Sequence, residues 1–419
     1  MNALVLIGLI LALLALRQPL LVILLAAIAY AQVVWGSGQL TWIIEDMFVS
    51  LDKELILAIP MFMLCGGVMT QGSTATRLTD VARALVGHLP GGLGIAGVVS
   101  SAVFAAISGS SIVTMLAIGA VLYPAMLEAG YGKRFALGTV LSGGTLGIII
   151  PPSIPLILYG LVTETSIVDL FRAGVGPGLL LVALFACYSV FTNFKMPRQA
   201  FSWTVLLASL SRGFWSLMMP VILLGGIYSG LFSPTEAAAV ALLYATIIEM
   251  FVHKELAFAD LKTVVFQSAK LGGALFPLIA VALSLNLILI ENRVPDQMLD
   301  FVEGWITNPV TFIIVVNLFL LAIGAFMTTS EAILILAPLL MPLAASFGYD
   351  KVVFGIIMIV NLEIGLLTPP VGLNLIVAMT AFRENFGLLV RAAIPFILLM
   401  VLALGLISFF PEISLFFVR

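Results

Sequence analysis

Apolar runs separated by charged or Pro/Gly-rich breaks set the organisation of this chain. They predict membrane-spanning helices near 2–16, 20–35, 55–71, 136–161, 174–194, 213–230, 235–252, 271–290, 352–380 and 392–417. Two further stretches, 92–127 and 309–345, are too long for one crossing at ~20 residues per span and carry polar clusters at their middles, the pattern of re-entrant helical hairpins. The amphipathic stretches Leu40 to Leu51 and Ala200 to Leu210 are expected to lie along the interface, anchored by Trp42 and Trp203. The expected fold is therefore an all-α polytopic membrane protein of about ten crossings plus two re-entrant hairpins.

Composition agrees with lipid as the main solvent. Of 419 residues, 62% are hydrophobic and only 9% charged, against about 25% charged in soluble proteins; the mean hydropathy is +1.23. A net charge of -3 excludes a strongly basic nucleic-acid binder. Cys65 and Cys187 sit in separate apolar runs, too isolated for a disulfide framework or zinc cluster, and read as small core residues. The N-terminal run lacks a basic leader and a small-residue cleavage site, so it is read as a retained first span.

Internal repetition changes this picture most. A constant offset of 218 positions pairs Pro124 with Pro342, Gly130 with Gly348, Tyr131 with Tyr349, Lys133 with Lys351, Gly147 with Gly365, Pro151 with Pro369 and Pro152 with Pro370. The same offset carries spans onto spans and one hairpin onto the other, dividing the chain into repeats 1–212 and 213–419. Five crossings per repeat is an odd number, so the second repeat should enter the membrane in the opposite sense, the inverted-topology arrangement of secondary transporters. Placing the open end of the first hairpin in the cytoplasm leaves only Lys53, Arg172, Arg293, Lys351 and Arg419 of the 18 basic residues outside. That satisfies the positive-inside rule, puts both termini outside, and leaves an acidic outer rim. His88 and His253 fall in cytoplasmic loops as solvated or interfacial residues.

Candidate chemistry clusters at the duplicated apices. The first hairpin turns at Ser108-Gly109-Ser110-Ser111 with Thr114 one turn on, and the second at Met327-Thr328-Thr329-Ser330-Glu331. Hydroxyls in a helix also bond back to the preceding turn, but matched clusters where backbone groups are freed at membrane depth point to a ligand. Each hairpin precedes a span broken at a proline pair, within Ser142 to Ser153 and Asn361 to Asn374. Such breaks expose carbonyls to a hard cation and half-helix N-termini to an anion, which predicts two cation sites flanking a central substrate site. Thr114, Ser153, Ser330, Glu331 and Asn374 are candidates for the substrate region. Glu363, beside the second break, is either a buried hydrogen-bonding support or a contributor to a cation site, and Glu331 either a displaced ligand or a proton-titrating group. Glu236 completes a Ser233-Pro234-Thr235-Glu236 capping box.

Ser108 to Ser111, Gly230 to Val240 and Asn361 to Asn374 closely resemble motifs of the large membrane subunit of tripartite ATP-independent periplasmic (TRAP) transporters, over essentially the whole chain. The resemblance implies an elevator-type, sodium-coupled importer of an organic acid anion such as a C4-dicarboxylate or a sialic acid, in the bacterial inner membrane. It implies as partners a periplasmic substrate-binding protein and a separate small membrane subunit of about four spans. It further implies sodium at Ser108, Ser110, Ser111, Gly144 and Pro151 in the first repeat and Thr328, Thr329, Gly365, Thr368 and Pro369 in the second. One departure stands out: many members carry an Asp-Pro pair where this chain has Thr328-Thr329.

Other classes fit less well. Serine catalysis at the first apex has no membrane-embedded base, and there is no HExxH motif, paired intramembrane aspartates or GxxxxGK[ST] loop. No enzyme activity and no cofactor beyond the coupling ions are expected. A sodium/anion symporter that needs no binding protein is the nearest alternative.

Overall fold

The computed structural model describes residues 2–16, 18–36, 41–196, 198 and 200–418. Arg17, Leu40 and Arg419 of the topological assignment lie outside the described residues. The first half runs α1 (Asn2–Ala15), α2 (Leu20–Val34), α3 (Thr41–Leu51), α4 (Ala58–Gln71), α5 (Thr74–Val86), α6 (Gly92–Ser108), α7 (Ser111–Glu128), α8 (Lys133–Ile149), α9 (Ile154–Thr163) and α10 (Ile167–Thr192). The second runs α11 (Trp203–Tyr228), α12 (Pro234–Ile247), α13 (Phe258–Glu291), α14 (Val294–Glu303), α15 (Pro309–Gly324), α16 (Thr329–Ser346), α17 (Lys351–Leu366), α18 (Leu373–Phe382) and α19 (Phe386–Phe409). Among the described residues nine helical segments are long and apolar enough to cross a bilayer, and the chain is an all-helical, multi-pass membrane protein.

The two halves use the same parts. Helix α7 begins at Ser111 and α16 at Thr329, and the X-Pro bonds Pro151-Pro152 and Pro369-Pro370 are both cis. Packing repeats as well: α6 and α7 cover α8 as α15 and α16 cover α17, α19 rests on α8 as α10 rests on α17, and α4 packs on α12 as α13 packs on α2. One difference breaks the match. The stretch divided into α3 and α4 around Asp52-Lys53 corresponds to the single unbroken helix α13.

Helices α5 and α14 fall where hydropathy predicts loops. Each is amphipathic: α5 buries Ala75, Leu78, Val81 and Ala82 while Asp80 stays exposed, so its mean hydropathy is low although its helical periodicity is clear. The expected interfacial segment 200–210 is also corrected. Ser202 caps α11, its hydroxyl accepting from the Val205 N–H at 3.5 Å, and the helix continues unbroken into the following span. Ser209, Ser211 and Arg212 lower the hydropathy there without breaking the helix. Trp42 and Trp203 are 51% and 68% exposed, as anchors in an interface would be. Cys65 is buried, but Cys187 is exposed on α10 and is not a core residue.

His253 is not solvated. Its side chain is 3% exposed, with Nδ1 3.3 Å from the fully buried Glu249 carboxylate. Glu249 in turn accepts from the Ser73 N–H at 3.2 Å and from the Thr74 hydroxyl, so a side chain beyond α12 caps the start of α5.

Glu384, in the turn between α18 and α19, lies 2.7 Å from Lys133 Nζ at the start of α8 and accepts from the Tyr123 hydroxyl at 2.8 Å. Partial burial opposes its ionisation, but the Lys133 and Tyr123 hydrogen bonds and the Lys133 charge outweigh that and hold the carboxyl below its ordinary 4.5. A depressed folded-state pKa adds stability that is present above the ordinary value and is lost as the pH falls through the lowered one. Lys133 is half exposed, so Lys133→Ala should cost only about 0.2–1 kcal/mol at neutral pH. Thermal unfolding in detergent should show the difference between wild type and variant vanishing once acid has protonated Glu384; a difference independent of pH would rule the ion pair out as its cause.

Candidate functional site

At the first apex, Gly109 adopts φ +58°, a left-handed turn that ends α6 and lets α7 restart after one extended residue, Ser110. The Ser108 and Thr114 hydroxyls are 2.6 Å apart, and the Gly109 carbonyl accepts from the Ile154 N–H at 3.4 Å. This last bond ties the apex to the start of α9, just past the Pro151-Pro152 break, where the buried Ser153 hydroxyl caps α9 by accepting from the Leu156 N–H. The second half repeats the device with other atoms. Ala325, past the end of α15, presents its carbonyl to the Val371 and Gly372 N–H groups at 3.3 and 3.4 Å, tying the second apex to the start of α18.

Both apices open on one cavity of about 270 Å³. Its polar wall is Ser110 and Ser111 from the first apex and Thr328, Thr329, Ser330 and Glu331 from the second. The N-termini of α7 and α16 therefore face the same space, and their free N–H groups and positive dipole ends favour an anion there. The rest of the lining is apolar and includes Met63 of α4 and Leu271, Leu275 and Leu278 of α13. Sequence reasoning missed this apolar part, because an apolar residue within a span carries no mark of facing a ligand.

The remaining predicted residues do not line the cavity. Gly144 gives α8 room beside the Ser111 carbonyl, which would lie 3.0 Å from a Cβ at that position. Asn374 is fully buried and donates from Nδ2 to the Ser111 hydroxyl at 2.6 Å, joining α18 of one half to the apex of the other. Thr368 is partly exposed and donates back to the Ile364 carbonyl at 2.7 Å. Pro151 is buried whereas Pro369 is exposed, so the two breaks sit in unlike surroundings.

The two acids have separate roles. Glu331 lines the cavity, but its carboxylate accepts from the Thr328 N–H at 3.0 Å while the Thr328 hydroxyl accepts from the Glu331 N–H at 3.3 Å. That reciprocal pair is a capping box, so the principal work of Glu331 is to start α16. Glu363 is wholly buried on α17, and its Oε1 accepts from the Thr329 hydroxyl at 2.9 Å. It makes no ion pair among the described residues. Among the described residues, Glu331 is the only charged residue lining the cavity, and its carboxylate is engaged in the cap.

Comparison with known proteins places these features in a family context. The family described as tripartite ATP-independent periplasmic transporter, DctM component, matches residues 7–413. A C4-dicarboxylate TRAP transporter large permease protein DctM of Pseudomonas aeruginosa is 42% identical over 372 residues, 88% of this chain and 87% of that protein. The isethionate TRAP transporter permease protein DctMQ of Oleidesulfovibrio alaskensis is 38% identical, the match taking up 91% of this chain and 61% of that longer protein. Among solved structures, the YdaH transporter of Alcanivorax borkumensis superposes with a TM-score of 0.64 over 91% of this chain and 90% of that one, at 16% identity, which speaks to the fold alone.

Proposed function

The chain belongs to the DctM component family of tripartite ATP-independent periplasmic transporters, and from that premise we propose that it imports an organic acid anion together with sodium, receiving the anion from a periplasmic binding protein. The coarser statement, that it is a large permease subunit and not an enzyme, follows from the family itself. The observation that carries the finer reading is the shared cavity. Two helix N-termini meet there with hydroxyls from both apices, which is a site for a carboxylate or sulfonate, while the carbonyls and hydroxyls at the adjoining breaks suit a hard cation. Sodium is assigned to Ser108, Ser110, Ser111, Gly144 and Pro151 on one side and Thr328, Thr329, Gly365, Thr368 and Pro369 on the other.

The mechanism follows from how the cavity is walled. Hairpins and broken helices are bound to one another by packing and by the apex-to-break hydrogen bonds, and they meet α4 and α13 through apolar side chains alone at the cavity. An apolar seam makes no directional bonds that must break when one body slides past another. The hairpins, α8, α9, α17 and α18 move as the carrier unit past a frame that includes α2, α4, α12 and α13, with the halves inverted in the bacterial inner membrane and both termini periplasmic. Anion and cation favour the same loaded state, so each raises the affinity of the other. A small membrane subunit of about four spans completes the frame, a reading supported by the match to a longer relative whose name joins M and Q components. The acidic outer rim receives a basic patch of the binding protein, a contact that salt weakens.

Reconstitution tests this. A candidate periplasmic binding protein is first matched to its ligand by thermal shift over a panel that includes C4-dicarboxylates and isethionate. Proteoliposomes holding this chain and the small subunit should then accumulate that labelled ligand only with an inward sodium gradient and the binding protein present. Uptake that needs sodium but no binding protein would make the chain a stand-alone symporter, and uptake that needs neither would sink the proposal.

A further inference from the structure

Two buried oxygens at the seam between the apices have no partner. Glu363 Oε2 and Asn374 Oδ1 accept no hydrogen bond, although both residues are fully buried. They belong to two hydrogen-bonded pairs that meet at the same cavity. Glu363 Oε1 accepts from the Thr329 hydroxyl at 2.9 Å, and Asn374 Nδ2 donates to Ser111 Oγ at 2.6 Å. The pairs together span α7, α16, α17 and α18, and their Ser111 and Thr329 members reach the cavity wall. A buried acceptor oxygen left unmatched is costly, and a carboxyl oxygen more so, so two of them backing the Ser111 and Thr329 hydroxyls of one cavity wall are the imprint of something that supplies positive charge.

We infer that Glu363 Oε2, Asn374 Oδ1 and the hydroxyl oxygens of Ser111 and Thr329 form a further monovalent-cation site at the seam, distinct from the two sites built on the apices and breaks. The donor set is carboxylate, amide carbonyl and hydroxyl, all hard oxygens without sulfur or imidazole, which suits a dehydrated alkali cation of sodium size. Entry is from the cavity past Ser111 and Thr329. The site differs from the other two in including a carboxyl group, and because it shares Ser111 with one and Thr329 with the other, its ion links their occupancy. The bound cation also screens the Glu363 charge from the anion in the cavity, so the substrate site is competent only when the seam is filled.

This inference rests on sodium coupling, and the test separates the two. Radiolabelled sodium binding is counted on the purified full chain with its small subunit, alongside sodium-dependent uptake in proteoliposomes. Wild type should bind about three ions per chain, Glu363→Gln about two with a Hill coefficient for sodium lower by about one, and Glu363→Asp should retain the wild-type count. With one cation fewer per cycle, accumulation by the Gln variant should gain about tenfold less from each ~60 mV of inside-negative potential, the value of one elementary charge. If the wild type binds only about two ions, or if the Gln variant matches it in count and Hill coefficient, the seam holds a proton and not a cation and this inference is overturned while sodium coupling stands. If the wild type neither binds sodium nor needs it, the coupling itself is wrong. The wild-type count decides the matter even where the Gln variant cannot be purified.

Discussion

Alanine in place of Gly365 is expected to abolish transport, with uptake falling more than tenfold. Helices α15 and α17 cross at this glycine with their backbones in contact: a Cβ at Gly365 would lie 2.5 Å from the Gly324 Cα, closer still to its carbonyl carbon. No side chain is present that can rotate away, so the helices themselves must part. Gly147, its counterpart 218 positions earlier, meets the same constraint, since its Cβ would press on the Ser110 carbonyl and come within 2.5 Å of the Thr114 hydroxyl. A forced methyl in a well-packed interior costs about 1–3 kcal/mol, which a multi-pass protein can survive. Function is more exposed to the change, because the segments that must move carry Ser110 on one side and the Ala325 carbonyl on the other. A misplacement of about 1 Å at such a site costs on the order of a hundredfold. Gly405→Ala is the control, since nothing lies within 4 Å of a Cβ there. Uptake and thermal stability measured together check the argument. Wild-type uptake by both Gly147→Ala and Gly365→Ala would show that the apices are not held by these contacts.

What the sequence showed and what it hid follow from the kind of signal each element carries. The hairpins and broken helices were legible because proline pairs and clustered hydroxyls are rare inside apolar runs, and their recurrence 218 positions later reinforced each reading. Helices α5 and α14 were hidden because an amphipathic segment averages to a low hydropathy, although the spacing of Ala75, Leu78 and Ala82 held the evidence. The cap on α16 was also legible in principle: Thr328 to Glu331 has the same Ser/Thr-x-x-Glu spacing as Ser233 to Glu236, where the box was recognised. Glu363 and Asn374 each stand out in the sequence, but the Ser111 hydroxyl that Asn374 reaches lies in the other half of the chain, and no local pattern brings together residues so far apart in sequence. His253 was misplaced for a similar reason, since its burial depends on Glu249 capping a helix from the other half.

The adjacent serines of the first apex should respond differently to alanine, and that difference tests the cation assignment. Ser110 is half-buried, lines the cavity, and its hydroxyl makes no hydrogen bond among those the structure shows. Ser110→Ala therefore removes an oxygen from the site at little cost to the fold. A hydrogen-bond-like contact to a charged species is worth about 1.5–3 kcal/mol, so the sodium concentration for half-maximal uptake should rise on the order of tenfold to a hundredfold with thermal stability unchanged. Ser111 is buried and receives the Asn374 amide at 2.6 Å, so Ser111→Ala leaves that donor without its acceptor. Its expected result is a lower melting temperature together with weaker sodium dependence. Added sodium should recover part of the activity of Ser110→Ala, because mass action refills a weakened site. Sodium should recover less of Ser111→Ala, where a buried partner is missing whether or not an ion is bound. Should both variants keep the wild-type sodium response, the first apex holds no cation, and the hydroxyls there serve the anion alone.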